Sequence, residues 1–259
     1  MNAFDVASFH HQRKGLFGSE LYYFDDVKST NSIAEKLARD KFSEGTVVLA
    51  NSQSLGRGRN SNQWFSPKDV NLYSTILLKP SKEFLPRIPF IAGLSVARAL
   101  FRYNLSADLK WPNDVLIGDR KIAGILMQSA MEADVLQYVI VGIGINVNVT
   151  NFPNELQQAA TSVAIEKGTP IQREQLLADV LFEFEQAYAK QNGTSWEDFV
   201  NEVEKQSSYL RNCHVEVNTT EGTIEGTTAA LDSYGGLIVN TKNGQAIIHS
   251  GEVRACRKK

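Results

Sequence analysis

Apolar positions along the chain change their period several times, and each change predicts an element. Residues 21–27 (LYYFDDV) and 45–51 (GTVVLAN) are rich in β-branched and aromatic side chains and read as strands. Between them Ile33, Ala34, Leu37 and Ala38 recur at helical spacing, and Ser32 with Glu35 fits a capping box at the helix start. A long polar loop, 52–71, precedes a further strand at 72–79. Pro89 is placed to open a helix running to about Tyr103, with Phe90, Leu94, Ala97 and Phe101 along one face.

Residues 107–111 are strand-like and lead through a Pro-Asn-Asp turn into a hairpin whose two-residue loop is Gly118-Asp119, a pairing suited to a type II′ turn. Residues 135–148 (VLQYVIVGIGINVN) read as a long strand, and 173–190 and 195–205 as amphipathic helices. From about 211 short β-like runs alternate with glycine turns. The pattern predicts an α/β domain to about residue 210 and a small β-barrel after it.

Composition narrows the function classes. The 259 residues carry 27 basic and 29 acidic side chains, a net charge of −2, so binding nucleic acid by non-specific phosphate attraction is disfavoured. A chain of this size buries roughly 73% of its unfolded surface, enough for a core without staples. No apolar run approaches 18 residues, so no membrane span is expected. His10-His11-Gln12-Arg13-Lys14 stands where a secretory signal needs an apolar stretch. Cys213 and Cys256 form no C-x-x-C pair, and a reducing cytoplasmic location is expected.

Several nucleotide motifs are absent. Gly142-Ile143-Gly144 and Gly56-Arg57-Gly58 each lack the third glycine of a dinucleotide fingerprint, and there is no P-loop. The four histidines lack metal-ligand spacing, and no protein-bound metal is expected.

Four segments carry candidate chemistry. In Gln53-Ser54-Leu55-Gly56-Arg57-Gly58-Arg59, closed by Trp64, glycines allow close backbone approach and arginines offer forked cationic donors; this suits an anion-binding loop. In Lys110-Trp111-Pro112-Asn113-Asp114 and Arg120-Lys121-Ile122-Ala123-Gly124, the hairpin register places Leu116 opposite Lys121 and Asp114 opposite Ala123. Asp114 and Lys121 then share a sheet face as diagonal neighbours roughly 7–8 Å apart. Ser29-Thr30-Asn31 lies at a strand end before a helix, where such residues also serve as ordinary caps. Gly142 and Gly144 inside a strand suggest close approach of a ligand or of another backbone.

In this order, Ser-Thr-Asn, Q-x-x-G-R-G-R…W, K-W-P-N-D, R-K-I-A-G-I-L and G-I-G-I-N-V-N, the segments resemble the biotin protein ligase family over residues 22–148. The resemblance resumes at Gly222, Gly226, Gly235-Gly236 and Gly251-Glu252-Val253. It implies an α+β fold: a mixed β-sheet catalytic domain flanked by helices at 1–210, of the biotin–lipoate ligase type related to class II aminoacyl-tRNA synthetases, and an SH3-like β-barrel at 211–259. It also implies joining of biotin to ATP as biotinyl-5′-AMP, then transfer of biotin to one lysine of a carboxylase's carrier domain. The same fold also serves lipoate and octanoate ligases or transferases, the alternative activity.

By the resemblance, Ser29, Thr30, Asn31 and Gln53 would hold the biotin ring. Arg57, Gly58, Arg59, Lys121 and Gly124 would surround its carboxylate and the phosphate. Arg59, Trp64, Lys110, Asn113 and Asn146 would meet the nucleotide, with Mg²⁺ on its phosphates. Lys121 and Arg59 would stabilise charge during adenylation, and Asp114 would orient or deprotonate the acceptor amine. The stretch Asn60-Ser61-Asn62-Gln63 departs from the more basic pattern usual in bacteria, and this polar loop is expected to be mobile until ligand orders it. No ligand role follows for Arg254-Ala255-Cys256-Arg257. Only 28 residues precede Ser29, too few for the DNA-binding winged helix of some members, so no operator binding is expected. A homodimer through a sheet edge stays open at this point.

Overall fold

A computed structural model describes residues 3–258 except 61 and 192, with side chains described through Val253. Ser61 of the loop therefore lies outside the described residues, as do the side chains of Arg254, Ala255, Cys256 and Arg257. The elements are α1 (Val6–Gln12), β1 (Leu21–Val27), α2 (Thr30–Ala38), β2 (Val47–Gln53), β3 (Leu72–Leu78), α3 (Ile88–Phe101), β4 (Asp108–Lys110), β5 (Asp114–Ile117), β6 (Arg120–Glu132), β7 (Val135–Ile145), α4 (Val163–Lys167), α5 (Arg173–Lys190) and α6 (Trp196–Lys205). Then come β8 (Cys213–Thr219), β9 (Gly222–Leu231), β10 (Leu237–Thr241), β11 (Gly244–Ile248) and β12 (Glu252–Lys258).

Seven strands form one mixed sheet in the order β1-β2-β3-β7-β6-β5-β4. The β1–β2 pair is parallel because α2 crosses over between them; the other neighbours are antiparallel. Strand alternation divides the sheet into two unlike faces. Ile76, Leu78, Val139, Val141, Ile143, Ile145, Ala123 and Ile125 point to one face and join α3, α5 and α6 in the main core. On the other face Val48, Leu77 and Ile140 pack under Ala34 and Ala38 of α2. Further along the same strands that face turns to Thr75, Gly142, Gly144 and Gly124, where α2 contributes the polar side chains of its first turn, Thr30 and Asn31, rather than its apolar face.

The structure changes several sequence expectations. Helix α2 begins at Thr30 with Ser29 in the cap position, so Ser32 lies inside the helix rather than at its start. Phe101 is 73% exposed and leaves the buried face that Phe90, Leu94 and Ala97 share. The segment Lys82–Phe101 is long and apolar enough, by length and composition alone, to cross a membrane, but 61% of its most apolar 18-residue stretch is buried inside the protein. Because most of α3 is enclosed by α5 and the sheet, it is apolar over most of its circumference, with Arg98 reaching Glu202 at the rim.

The hairpin turn has Gly118 at φ +60°, as the type II′ reading requires. A bulge at Ile122 then shifts the register, so Asp114 pairs with Gly124 rather than Ala123. The C-terminal strands form a five-stranded antiparallel sheet in the order β11-β10-β9-β8-β12. Among the described residues β11 and β12 do not pair, so closure of the expected barrel is not detected. Cys213 is disulfide-bonded, which the expectation of a reducing location does not anticipate.

Tyr103 carries a buried hydroxyl without a hydrogen-bond partner among the described residues, and burial pushes its phenol up to about 12. An unfolded tyrosine ionises near pH 10, so the fold loses stability as pH rises from about 10 to 12. Tyr103→Phe is expected to stabilise by up to about 1 kcal/mol in urea unfolding at pH 7, and to reduce that alkaline loss. A clear destabilisation at pH 7 would show that the hydroxyl is satisfied in solution.

Candidate active site

This glycine-bearing part of the second sheet face is the floor of a cleft of about 180 Å³. Two rows cross three strands there. Thr75, Gly142 and Leu126 are register partners, as are Tyr73, Gly144 and Gly124. The glycines leave room that other side chains fill. A Cβ on Gly142 would stand 2.3 Å from Asn31 Oδ1, and one on Gly144 or Gly124 would stand 2.6 or 2.9 Å from the Trp64 indole.

Asn31 is fixed from both ends. Its Nδ2 donates to Gln128 Oε1 at 2.8 Å, and its Oδ1 accepts from Thr75 Oγ1 at 2.7 Å. Gln53 is committed too: Oε1 accepts from the Thr30 backbone N–H (2.9 Å) and Thr30 Oγ1 (3.2 Å), while Nε2 donates to Ser66 Oγ (3.1 Å). These groups form a preset polar wall, and Ser29 Oγ is the member without a hydrogen-bond partner among the described residues. Thr75 and Gln128 were not anticipated. The signal for Thr75 was its place two residues from Leu77 and from Tyr73, on the face that carries Gly142.

The Gly-Arg loop folds as a small hairpin. Gly58 N–H donates to Asn62 O, Trp64 N–H donates to Gly56 O, and Arg57 bridges Gln63. This carries Trp64 back over the floor and brings the Arg59 guanidinium beneath the C-terminal sheet. Arg59 Nη1 donates to Gly251 O and Nη2 to Ser250 Oγ, both at 3.2 Å. Burial pulls the Arg59 guanidinium below its usual range, and Asp114 and Glu252 oppose that shift. Arg57 lines the cleft and makes no side-chain hydrogen bond or ion pair among the described residues.

Lys121 is rooted firmly. Its backbone N–H donates to Ala159 O (2.8 Å), and its carbonyl accepts from Thr161 N–H (3.0 Å). Its ammonium lies 2.5 Å from Asp114 Oδ1 and 5.2 Å from the Trp64 ring centre. The bulge turns the expected diagonal neighbours into a direct ion pair. Lys110 and Asn113 also line the cleft, and Asn113 Nδ2 is held by Ile125 O at 2.6 Å. Thus Ser29, Thr30, Asn31, Gln53, Arg57, Gly58, Arg59, Trp64, Lys110, Asn113, Asp114, Lys121 and Gly124 share one cavity.

Asn146 does not join them. It is 4% exposed, its N–H donates to Ile122 O, and its side chain reaches the Lys121 carbonyl and Asn71, both at 3.5 Å. Strand β7 ends at Ile145, and the chain turns Asn146 behind the bulge, where it braces Lys121 from below.

The Biotin/lipoate A/B protein ligase family matches residues 23–146, and the Biotin protein ligase C terminal domain matches residues 212–254. A biotin--[acetyl-CoA-carboxylase] ligase of Paracoccus denitrificans is 32% identical over 235 residues, covering 87% of this chain and 96% of that protein. The chain belongs to the biotin protein ligase family. A bifunctional ligase/repressor BirA of Bacillus subtilis is 31% identical, over 92% of this chain and 74% of that protein. A biotin protein ligase from Aquifex aeolicus, solved in complex with biotin and ATP, superposes with TM-score 0.77 at 34% identity, covering 93% of this chain and all of that one. The α+β architecture of this biotin protein ligase family member is thus that of its solved relatives.

Gly144→Ala is expected to displace Trp64, since the added methyl would overlap the indole. Overpacking of about 1–3 kcal/mol would open the loop, raising the tryptic cleavage rate at Arg57 and Arg59 at least about tenfold. Unchanged cleavage would mean that the indole does not rest on this floor.

Proposed function

We propose that the chain activates biotin with ATP to biotinyl-5′-AMP and passes biotin to a lysine of a carboxylase's biotin carrier domain. The observation that carries the reading is the convergence of Arg57, Arg59 and Lys121 over a glycine floor walled by fixed amide and hydroxyl groups. A ureido ring offers donors and an acceptor to such a wall, whereas the dithiolane of lipoate offers none; this and the relatives named above favour biotin over lipoate.

In the first step a biotin carboxylate oxygen attacks the α-phosphorus of ATP, and the bond to pyrophosphate breaks with its electron pair leaving on pyrophosphate. Two anions must meet, and preset cations lower that barrier because they need no reorganisation. Arg57 and Lys121 are placed to hold the carboxylate, and Arg59 the phosphate. Trp64 roofs the junction and limits water.

In the second step an acceptor amine attacks the acyl carbon and AMP leaves. A free lysine is only about 0.04% neutral at pH 7, so a carboxylate that takes up its proton accelerates the step. Asp114, which lines the cleft in direct contact with Lys121, takes that role in this reading. Among the described residues no three His, Cys, Asp or Glu side chains cluster as a metal cage. A Mg²⁺ ion fits this site only as a companion of the nucleotide phosphates, where it would supply further positive charge.

The test is incubation of the chain with labelled biotin, ATP and a carrier domain. Label on the carrier, dependent on ATP and lost when its lysine is replaced by arginine, is the expected result. Equal labelling from lipoate, or none from biotin, would overturn the reading.

A further inference from the structure

Lys121 and Asp114 form an ion pair at 2.5 Å, and both line the cleft. They are neither locked away nor freely solvated, with side-chain exposures of 33% and 25%. The root of Lys121 is clamped at its N–H and its carbonyl, so movement of its charge is confined to the four-carbon stem. Trp64 borders that stem on one side and the Gly124 backbone on another. Among the described residues Asp114 is the carboxylate paired with this ammonium. A substrate whose carboxylate must rest on the same ammonium competes with Asp114 for it.

We infer that Lys121 exchanges Asp114 for the carboxylate of biotin, so that Asp114 is released to meet the acceptor amine only after the first substrate is loaded. The inference rests on the biotin reading of the cleft. With the pair intact, Asp114 is neutralised and a poor partner for an incoming ammonium. Once Lys121 turns to the substrate, Asp114 loses its direct ion-pair partner beside the future acyl junction and keeps only the more distant charge of Arg59. That carboxylate then favours a cation at this place. The same pair thus costs affinity in the first step and orders the second.

Binding of biotin and of biotinamide, measured calorimetrically without ATP, tests this on four proteins: wild type, Asp114→Asn, Lys121→Gln and the double variant. Asp114→Asn keeps the shape and removes the competitor. It is expected to tighten biotin about fivefold, the scale of a partly exposed ion pair. Biotinamide lacks the carboxylate, so its affinity is expected to stay unchanged in all four, which also reports that the cleft is folded. In the Lys121→Gln background the effect of Asp114→Asn on biotin is expected to disappear. Unaltered biotin affinity in Asp114→Asn overturns the exchange. Equal tightening with and without Lys121 also overturns it, because simple repulsion between carboxylates would then suffice. A wild type that binds neither biotin nor biotinamide overturns the substrate reading and this inference together.

Discussion

Replacing Lys121 by glutamine is expected to slow biotin-dependent pyrophosphate release by about 10²–10³-fold, the range seen when one preset donor to developing charge is lost. Glutamine is shorter by one atom and neutral, while the backbone clamp on residue 121 depends on main-chain groups alone. The fold should therefore survive, and thermal unfolding is the control. The loss should appear mainly in the turnover number, because charge grows at the junction as the bond to pyrophosphate breaks. A release rate within about threefold of wild type would remove Lys121 from the chemistry.

The second large effect is expected on transfer. Asp114→Asn should slow the reaction of preformed biotinyl-5′-AMP with the carrier lysine by about 10²-fold or more, as loss of a general base does. Adenylate formation should change far less, because Asp114 opposes rather than supports the approach of a carboxylate. Transfer and activation are separable by single-turnover assays with isolated adenylate. Equal slowing of both steps would make Asp114 a structural turn residue. A normal rate regained at high pH, where the acceptor amine is already neutral, would strengthen the proton-acceptor role.

Much of this site was legible because strand alternation is strict. The run from Val135 to Ile145 sends Val139, Val141, Ile143 and Ile145 to one face and leaves Ile140, Gly142 and Gly144 on the other. A strand that is apolar on one side and empty on the other must face something that is not its own core. The meeting of Asp114 with Lys121 was legible from the hairpin, but its closeness was not. That closeness depends on the bulge at Ile122, which pairing between nearest neighbours does not foretell. The start of α2 was misplaced because Ser29, Thr30 and Ser32 are all competent caps, and tertiary bonds from Thr30 to Gln53 decided between them. Asn146 stands outside the cleft lining because a motif gives order along the chain and not the direction of a side chain after a strand ends. The contribution of Ser250 and Gly251 needs a fold that returns the chain over 190 residues to its own loop.

That return has a mechanical meaning. Arg59 hooks the tip of the roof to the turn between β11 and β12, and Trp111 Nε1 donates to Gly235 O at 3.1 Å as a second fastening nearer the hinge. The C-terminal sheet thus acts as a hasp: it holds the arginine at the junction, while the glycine floor belongs to the other sheet. Loosening the roof is therefore expected to require breaking the Arg59 contacts to Ser250 and Gly251, which tie it to a sheet that shares the main core.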